Sequence, residues 1–419
     1  MKTTTNITLN KSASQPLYLQ LSNALAAEIH ALPQGEKLPT IRSLSSKLGI
    51  TNNTVVNAYK HLETKGLIYT ITGSGVYVAQ THEPQQRFNQ KTAFNFASAT
   101  TDPALFPTTA FRQSCDQILF THGAEAFSPP LLQEKHAITN ITQILEHLAV
   151  TLLSPGDTVI TETPSPQTIY ATLKQKGIRI IEFPVTEPEA LSFLLKKHSP
   201  KLVILTPNFQ TPTSLCYTTL NKCQILSAAA ETNTYILEID TQNDFYYTLA
   251  PPKTLHDLDT NDCVIYLKTY TKILTPRLDI GYLTCPAALA QVVQNLPQPP
   301  GFIQRLFHSY IQKNFAEHTA NLRSHYKKCY KKLIQACETY LSPYATFTKP
   351  NGGLGIWVTP NKWNEEYYAQ LLNRQVVVSP GHLFTNSNNL KHFHLSFANI
   401  PESRIPEGIG IIASILRET

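Results

Sequence analysis

Apolar residues in the first part of the chain recur with the period of an α-helix. One stands at every fourth position from Leu17 to Ile29, which places them on one stripe of a predicted helix. A turn that contains Pro33 follows. Thr40 is a residue type that caps helix starts, and the apolar positions after it predict a second helix that stops at Gly49. The pattern thus predicts two short amphipathic helices separated by a turn.

The next residues predict one more helix and a hairpin. The third helix starts at Thr51 or Asn52, both N-cap residue types, and ends at Gly66. Two short runs rich in β-branched and aromatic residues, 67–69 and 76–78, then flank a glycine-containing turn, as in a β-hairpin. Three helices followed by a small hairpin are the layout of a winged helix-turn-helix domain.

A different pattern begins after a polar stretch, residues 80–95, which is rich in Gln and Asn and is predicted to be a linker. From about Phe96 onward, short apolar runs alternate with longer segments of helical period. Runs that are apolar on both faces are typical of parallel strands buried between helices. The predicted strands are Thr158–Ile160, Ile178–Phe183, Leu202–Thr206, Tyr235–Ile239 and Val264–Leu267. The sequence therefore predicts an α/β fold for this part of the chain.

Charge is unevenly distributed along the 419 residues, which include 35 basic and 29 acidic side chains. Residues 1–80 hold seven of the basic and three of the acidic ones, so they carry +4 of the net +6. A compact basic segment favours a polyanionic partner such as nucleic acid, and the alternative is a solvated face with a chance asymmetry. A content of 42% hydrophobic and 15% charged residues is typical of a folded chain and excludes a disordered one.

Several other classes of function lack support in the sequence. No apolar run is long enough to span a membrane and the N-terminus has no signal-peptide pattern, so we expect a cytoplasmic protein without a membrane partner. The seven cysteines include no Cys-x-x-Cys pair, which argues against a zinc site or a disulfide framework. His392 and His394 have the spacing of two metal ligands on a strand, but no third ligand is near them in sequence, so no metal is predicted. The sequence contains no nucleophile elbow, Walker loop or dinucleotide-binding motif.

Five short motifs follow one another between Pro16 and Val78. They are Lys37-Leu38-Pro39-Thr40-x-Arg42-x-Leu44, Leu48-Gly49-Ile50-Thr51-x-x-Thr54-Val55, Ala58-Tyr59-x-x-Leu62, Gly66-Leu67-Ile68 and Gly73-Ser74-Gly75-Val76-Tyr77-Val78. In this order they resemble the winged helix-turn-helix domain of the GntR family of regulators. The resemblance implies that the partner is a double-stranded DNA operator, and a domain that only docks another protein is the alternative.

The same resemblance assigns residues that contact DNA. The N-terminal part of the third helix would lie at base edges in the major groove. The second helix, the turn before it and the hairpin tip would contact the backbone or the minor groove. The residues assigned in this way are Lys37, Thr40, Arg42, Asn52, Asn53, Thr54, Asn57, Gly73 and Gly75. Family members usually have arginine at the position of Asn52, so the loss of a guanine-binding group predicts an operator that tolerates A·T pairs.

The rest of the chain carries a second series of motifs. They are Leu152-Leu153-Ser154-Pro155-Gly156-Asp157, Thr206-Pro207-Asn208-Phe209-Gln210-Thr211-Pro212-Thr213, Tyr266-Leu267-Lys268-Thr269-Tyr270-Thr271-Lys272, Gly281-Tyr282, Asn351-Gly352-Gly353-Leu354, Val378-Ser379-Pro380-Gly381 and Phe397-Ala398. In this order they resemble the MocR branch of the GntR family, in which the DNA-binding domain is fused to a fold-type-I aminotransferase-like domain that uses pyridoxal 5'-phosphate (PLP).

This second resemblance implies the organisation of the whole chain. It places a DNA-binding domain at residues 1–79, a linker at 80–95 and an aminotransferase-like domain at 96–419. In that domain, helices flank a mostly parallel sheet, and a small α+β subdomain spans about 310–419. Fold-type-I domains resemble one another in forming dimers, so the resemblance also implies a homodimer.

The cofactor site is where the sequence departs from the family pattern. Lys272 matches the lysine that forms a Schiff base with PLP, but the acid at the pyridine nitrogen falls on Ile239 and the substrate-binding arginine falls on His394. The phosphate-binding arginine falls on Asp279, with Arg277 as its candidate replacement. Other family positions fall on Ile141, Thr142, Pro166, Thr211 and Thr241. PLP can thus attach through Lys272, but the altered positions around this lysine argue against a working site.

These observations predict a DNA-binding transcriptional regulator rather than an enzyme. Its aminotransferase-like domain is expected to have lost catalysis and to serve dimerisation and the sensing of a small-molecule effector of unknown identity. The segment between Phe106 and Ile138 is shorter than in the family, where it holds a further helix beside the substrate pocket, and this favours the loss of catalysis. A regulator that still senses PLP through Lys272 is one alternative, and a PLP-dependent aminotransferase is the second.

Overall fold

The chain forms two compact units, Met1–Lys91 and Thr92–Thr419, each built around its own apolar core. The computed structural model describes residues 7, 9, 16–29, 36–64, 67–71, 75–78, 94–98, 100–128, 136–138, 141–275, 278, 280–293, 296, 298–362, 366–386 and 391–418.

The first unit contains three helices and a two-stranded antiparallel hairpin. These are α1 (Leu17–Ile29), α2 (Ile41–Leu48), α3 (Asn52–Thr64), β1 (Ile68–Ile71) and β2 (Gly75–Val78). Its core is made of apolar side chains from all five elements and from the segment before α2, namely Leu21, Leu25, Ile29, Leu38, Leu44, Val55, Ala58, Tyr59, Leu62, Ile68 and Val78. The predicted winged helix-turn-helix arrangement is confirmed.

Local signals position α2 and α3. The Thr40 hydroxyl accepts a hydrogen bond from the Ser43 N–H at 3.2 Å and so caps α2, which ends at Gly49 in the left-handed conformation with φ 60°. The Thr51 hydroxyl accepts from the Thr54 N–H at 3.3 Å. Of the two residues predicted to cap the third helix, Thr51 therefore does so, and a tight turn links α2 to α3.

A seven-stranded sheet forms the centre of the second unit. In chain order the strands of this unit are β3 (Phe94–Asn95), β4 (His136–Ile138), β5 (Thr158–Thr163), β6 (Arg179–Pro184), β7 (Leu202–Leu205), β8 (Tyr235–Asp240), β9 (Val264–Thr269), β10 (Gly281–Thr284), β11 (Ala345–Phe347), β12 (Gly355–Pro360), β13 (Val376–Val377), β14 (Ser379–Pro380) and β15 (Phe393–Ser396). The strand order in the central sheet is β4-β10-β9-β8-β7-β5-β6. Strands β5 to β9 are parallel, and β10 and β4 join antiparallel at one edge.

Helices cover both faces of this sheet. The helices of the second unit are α4 (Thr108–His122), α5 (Ile141–Leu152), α6 (Gln167–Gln175), α7 (Glu189–His198), α8 (Thr219–Glu231), α9 (Leu255–Leu258), α10 (Ala290–Val293), α11 (Gly301–Lys313), α12 (Phe315–Ala336), α13 (Tyr367–Asn373) and α14 (Ile405–Arg417). One cluster packs α5 and α6 on one face, and another packs α7 and α8 on the opposite face. The five predicted strands overlap β5 to β9, although Ile178 and Thr206 lie one residue outside β6 and β7. The prediction of a buried parallel sheet is confirmed.

No helix in the part of the chain that the structure describes is both long enough and apolar enough to cross a lipid bilayer.

A smaller four-stranded sheet, in the order β11-β12-β15-β14, lies in the C-terminal part of the unit with α12 and α14. Strand β13 is not part of this sheet and instead pairs in parallel with β3. The β3 residues Phe94 and Asn95 lie in the stretch predicted as a linker, and the remainder of that stretch is outside the described residues. The segment that enters the second unit is thus anchored on its C-terminal part.

Two glycines of α14 provide a matched test of this anchor. A Cβ atom on Gly408 would lie 2.7 Å from the Phe96 ring and 2.9 Å from the Phe94 ring, whereas a Cβ on Gly410 meets nothing within 4 Å. We expect Gly408→Ala to lower the free energy of unfolding by about 1–3 kcal/mol through overpacking. Gly410→Ala should raise it by about 0.5–1 kcal/mol, because alanine loses less backbone entropy in a helix.

The measurement is urea unfolding followed by tryptophan fluorescence, since both tryptophans lie in the second unit. Equal midpoints for the two variants would contradict the described packing of Phe94 and Phe96 on α14.

Candidate functional site

The exposed face of α3 carries the residues predicted to contact bases. Val55, Ala58, Tyr59 and Leu62 point into the core of the first unit. Asn52, Asn53 and Asn57 are exposed and Thr54 is partly exposed. The helical period therefore separates a buried apolar face from an outer face of amide side chains, which can donate and accept hydrogen bonds.

The three asparagines of this face are not equivalent. The Ser45 hydroxyl of α2 donates a hydrogen bond to the Asn52 Oδ1 at 2.6 Å. Asparagine binds adenine by donating and accepting at the same time, and this contact uses one of the two lone pairs of the oxygen with which Asn52 would accept. Asn53 and Asn57 make no side-chain hydrogen bond to any other residue that the structure describes. The donors and acceptors of these two amides are therefore available to a partner.

The remaining predicted DNA contacts lie around α2 and the hairpin. Lys37, Thr40 and Arg42 are exposed. The Lys37 amine lies 5.8 Å from the centre of the Tyr77 ring. A Cβ atom on Gly75, where φ is 140°, would lie 2.6 Å from the Lys37 Cε. The structure thus brings Lys37 and Gly75 together, while Gly73 is outside the described residues.

In the second unit, Lys272 lies three residues beyond the end of β9. Loss of hydration lowers the pKa of its amine from 10.5 to about 8. No carboxylate of the described residues is within ion-pair distance of this amine. Nearby in sequence, the hydroxyl of Thr269 at the end of β9 is buried without a hydrogen-bond partner among the described residues, as is that of Thr241 just after β8. The carboxyl ends of β8 and β9 therefore hold a lysine with a substantial neutral fraction and two unpaired hydroxyls.

His394 of β15 is an electrostatic neighbour of Lys272. Burial lowers the pKa of the imidazole to about 3, and the charge of Lys272 contributes to this shift. The ring packs closely on β12, because a Cβ atom on Gly355 would lie 2.2 Å from its Nε2. The ring of Phe384 meets it edge to face at a centroid distance of 5.9 Å. His394 is therefore neutral at physiological pH and does not supply the fixed positive charge of an arginine.

The position assigned to the pyridine-binding acid faces an apolar core. Ile239 is 6% exposed and belongs to the aliphatic cluster that includes Leu237 and Leu267. The neighbouring Asp240 has both carboxylate oxygens occupied. Its Oδ1 accepts from the Asn243 N–H at 3.0 Å, and its Oδ2 accepts from the Tyr266 hydroxyl at 2.5 Å. Neither residue thus offers a free carboxylate at this strand end.

The fit of PLP to these residues can be tested position by position. A neutral amine is the form that condenses with an aldehyde, so Lys272 fits. Ile239 has no group that can bind a pyridine nitrogen, and neutral His394 has no charge for a substrate carboxylate, so these two positions do not fit. Asp279 and Arg277, assigned to the phosphate, are outside the described residues.

A polar cleft on the opposite face of β8 and β9 was missed at the sequence level. It contains Asn243, Asp244, Tyr246, Lys268 and Arg323, which come from three separate parts of the chain. One signal was present in the sequence, since Lys268 is a charged residue directly after a run predicted to be a buried strand.

Two family models match the chain. The model of bacterial regulatory proteins of the gntR family matches residues 17–78. The model of class I and II aminotransferases matches residues 137–412. The two matches cover the two compact units in the order that the motifs indicate.

Relatives and a solved structure are similar over most of their length. The uncharacterized HTH-type transcriptional regulator YdeL of Bacillus subtilis (strain 168) is 26% identical over 96% of this chain and 97% of its own. The probable rhizopine catabolism regulatory protein MocR of Rhizobium meliloti is 25% identical over 97% of this chain and 95% of its own. The crystal structure of LysN, an α-aminoadipate aminotransferase from Thermus thermophilus, is similar with a TM-score of 0.72 and 24% identity, covering 78% of this chain and 93% of that one.

The family match covers most of the second unit, and the relatives share the fused arrangement from end to end. The chain therefore belongs to the class I and II aminotransferase family, and with its gntR-family domain it is an HTH-type transcriptional regulator of the MocR-like architecture.

Proposed function

We propose that this regulator binds its operator through the amide face of α3 and that its aminotransferase-like domain does not catalyse transamination. The observation that carries the first part is the outer face of α3, where Asn53 and Asn57 are exposed and unpaired among the described residues. These two amides contact base edges in the major groove. Arg42 and Lys37 contact phosphates and account for the basic character of the first unit.

Asn52 has a different role in this proposal. Its amide oxygen accepts a hydrogen bond from the Ser45 hydroxyl, so the side chain ties the start of α3 to α2 and its orientation is fixed within the domain. A side chain whose orientation is fixed in this way is less free to align its donor and acceptor with the edge of a base. Operator specificity thus rests on Asn53 and Asn57.

A homodimer completes this mode of binding. One recognition helix contacts only a few base pairs, whereas two helices on a two-fold related pair of half-sites gain both affinity and specificity. The aminotransferase-like unit supplies the dimer contact. A small-molecule effector acts by favouring one arrangement of the two DNA-binding units, since a ligand shifts affinity only through such a difference between states.

Two positions, Ile239 and His394, support the proposed absence of transamination. The fold family is PLP-dependent, and in such enzymes an acid at the pyridine nitrogen makes the ring an electron sink. Ile239 packs among aliphatic side chains and cannot serve in this way. His394 is neutral and closely packed against Gly355, so it does not bind a substrate carboxylate as an arginine would.

A PLP-responsive regulator is the second candidate, and the chemistry at Lys272 favours it. The lowered pKa keeps part of the amine neutral, and the unpaired hydroxyls of Thr241 and Thr269 provide polar groups nearby. Binding of PLP without turnover needs the lysine and nearby polar groups, but it does not need an acid at the pyridine nitrogen. This candidate differs from the first only in the identity of the effector.

DNA binding is tested with a duplex selected from a random library by the wild-type protein. We expect Asn53→Ala to weaken binding to the selected duplex by about 1–3 kcal/mol and to relax the base preference at one position. Arg42→Ala should weaken binding to all duplexes and reduce the salt dependence by about one phosphate contact. Arg112→Ala, on exposed α4 of the second unit, is the matched control and should bind as the wild type does.

Equal losses for Arg42→Ala and Arg112→Ala would show that the effect is one of net charge. Unchanged binding by the Asn53→Ala variant would remove α3 from base recognition.

The state of Lys272 is tested by labelling with an amine-reactive ester across pH and locating the label by mass spectrometry. The neutral amine reacts, so labelling of Lys272 should rise with pH and be half-maximal near pH 8. At pH 7.5 about one quarter of the amine is neutral, against about one in a thousand for an ordinary lysine. Half-maximal labelling above pH 10 would contradict the loss of hydration at this site.

Turnover is tested by supplying PLP, each of the twenty standard amino acids and 2-oxoglutarate. We expect no keto-acid product above that of the Lys272→Ala variant, because the electron sink is incomplete. Borohydride reduction after addition of PLP separates the two candidates, since cofactor fixed at Lys272 without turnover supports the PLP-responsive regulator. Product that depends on Lys272 would overturn the proposal and establish an aminotransferase.

A further inference from the structure

A cleft of about 420 Å³ lies between the loop after β8, the strand β9 and the first turns of α12. Its volume lies in the range of pockets that hold small molecules. Lys268 lies in this cleft, and strand alternation places Ile239 and Leu267 on the other face of the sheet. The cleft is thus separate from the aliphatic cluster that holds the position of the pyridine acid.

Arg323 of α12 gives the cleft a second cation, whose charge acts on the nearby Asp244 carboxylate without a direct ion pair. Its guanidinium lies 4.5 Å above the centre of the Tyr246 ring, and its Nη1 donates to the Asp244 backbone carbonyl at 3.4 Å. No carboxylate within the described ranges forms an ion pair with it. Stacking and a hydrogen bond to a neutral carbonyl fix the group in place without a direct ion pair, so its remaining N–H donors can bind the carboxylate of a ligand.

The lysine of the cleft is in the opposite situation. The Lys268 amine lies 2.8 Å from the Asp244 carboxylate and 3.6 Å from that of Asp240. Asp244 also interacts with the charge of Arg323, so two carboxylates face two cations. The exposed Asp257, which belongs to the capping box of α9, adds a further carboxylate to the lining. A ligand with only negative charge meets repulsion here, in contrast to the surroundings of Arg323.

Asn243 supplies an acceptor that lacks a donor. The side chain is 9% exposed and lines the cleft. Its Nδ2 donates to the Pro252 carbonyl at 3.3 Å, which orients the amide. Its Oδ1 has no hydrogen-bond partner among the described residues. Buried polar atoms without hydrogen-bond partners are uncommon in folded proteins, so we expect this oxygen to accept a hydrogen bond from a bound molecule.

We propose that this cleft binds a small zwitterion of the amino-acid class without forming a covalent bond. The ligand's carboxylate pairs with Arg323, and its ammonium group donates to the Asn243 Oδ1 close to the acidic side chains. A plain anion leaves Asn243 unsatisfied, and a plain cation leaves Arg323 unpaired and faces Lys268. The inference goes beyond the proposed function, and it does not depend on operator binding or on Lys272.

The test is isothermal titration calorimetry of the full chain with each of the twenty standard L-amino acids at up to about 10 mM, a range that detects weak specific binding. For the amino acid that binds, the analogue without the amine and the analogue without the carboxylate are titrated as well. We expect each analogue to bind at least tenfold more weakly, since each loses one charged hydrogen bond.

Variants locate the site. Arg323→Gln should weaken binding at least tenfold, whereas Arg112→Gln on α4 and Lys272→Ala should leave it within about twofold, because neither residue lines the cleft. Asn243→Leu should also weaken binding tenfold. It replaces Arg323→Gln as the test of the site if circular dichroism shows that Arg323→Gln does not fold. The proposal is overturned if none of the twenty binds, or if binding is lost in Lys272→Ala and retained in Arg323→Gln. Neither outcome bears on the operator measurements.

Discussion

Strand alternation at the carboxyl ends of β8 and β9 determines which chemistry each face of the central sheet can support. Ile239 and Leu267 enter an aliphatic cluster, while Asp240 and Lys268, one residue later on each strand, pair on the opposite face. In the proposed function Ile239 stands at the position of the pyridine-binding acid, and Asp240 on the opposite face could replace that acid only by a one-residue slip that turns every side chain of the strand over. The register of a buried parallel strand thus keeps the acid out of the cofactor position.

This constraint separates two properties that an aminotransferase combines. Lys272, which follows β9, keeps an amine with a lowered pKa, and this depends on burial alone. An electron sink needs a carboxylate at the position of Ile239 on β8. Binding of a substrate carboxylate needs a permanent positive charge at the position of His394, which is neutral. Ligand binding and turnover therefore depend on different residues, and a regulator requires only the first. In the proposed function, the amide face of α3 provides the output through DNA.

Much of the fold could be predicted from the sequence because local signals and the global arrangement agree. Helical periodicity and the Thr40 cap placed the helices of the first unit, and apolar runs placed β5 to β9. Contacts between distant segments could not be predicted in this way. The bond from Ser45 to Asn52 joins two helices across a turn, and the cleft assembles Asn243, Lys268 and Arg323 from segments far apart in sequence. Such sites depend on packing geometry, for which one sequence carries no periodic signal.

The first residues described in the second unit pack on its C-terminal part. Strand β3, at the end of the predicted linker, pairs with β13, and the rings of Phe94 and Phe96 pack on Gly408 of α14. The same apolar cluster includes side chains of α12, the helix that carries Arg323 into the cleft. Side chains of α12 and α14 and the rings of Phe94 and Phe96 therefore belong to one apolar cluster. The cleft and the anchor of β3 thus share one close-packed core, in which a change in the packing of α12 is felt by its neighbours.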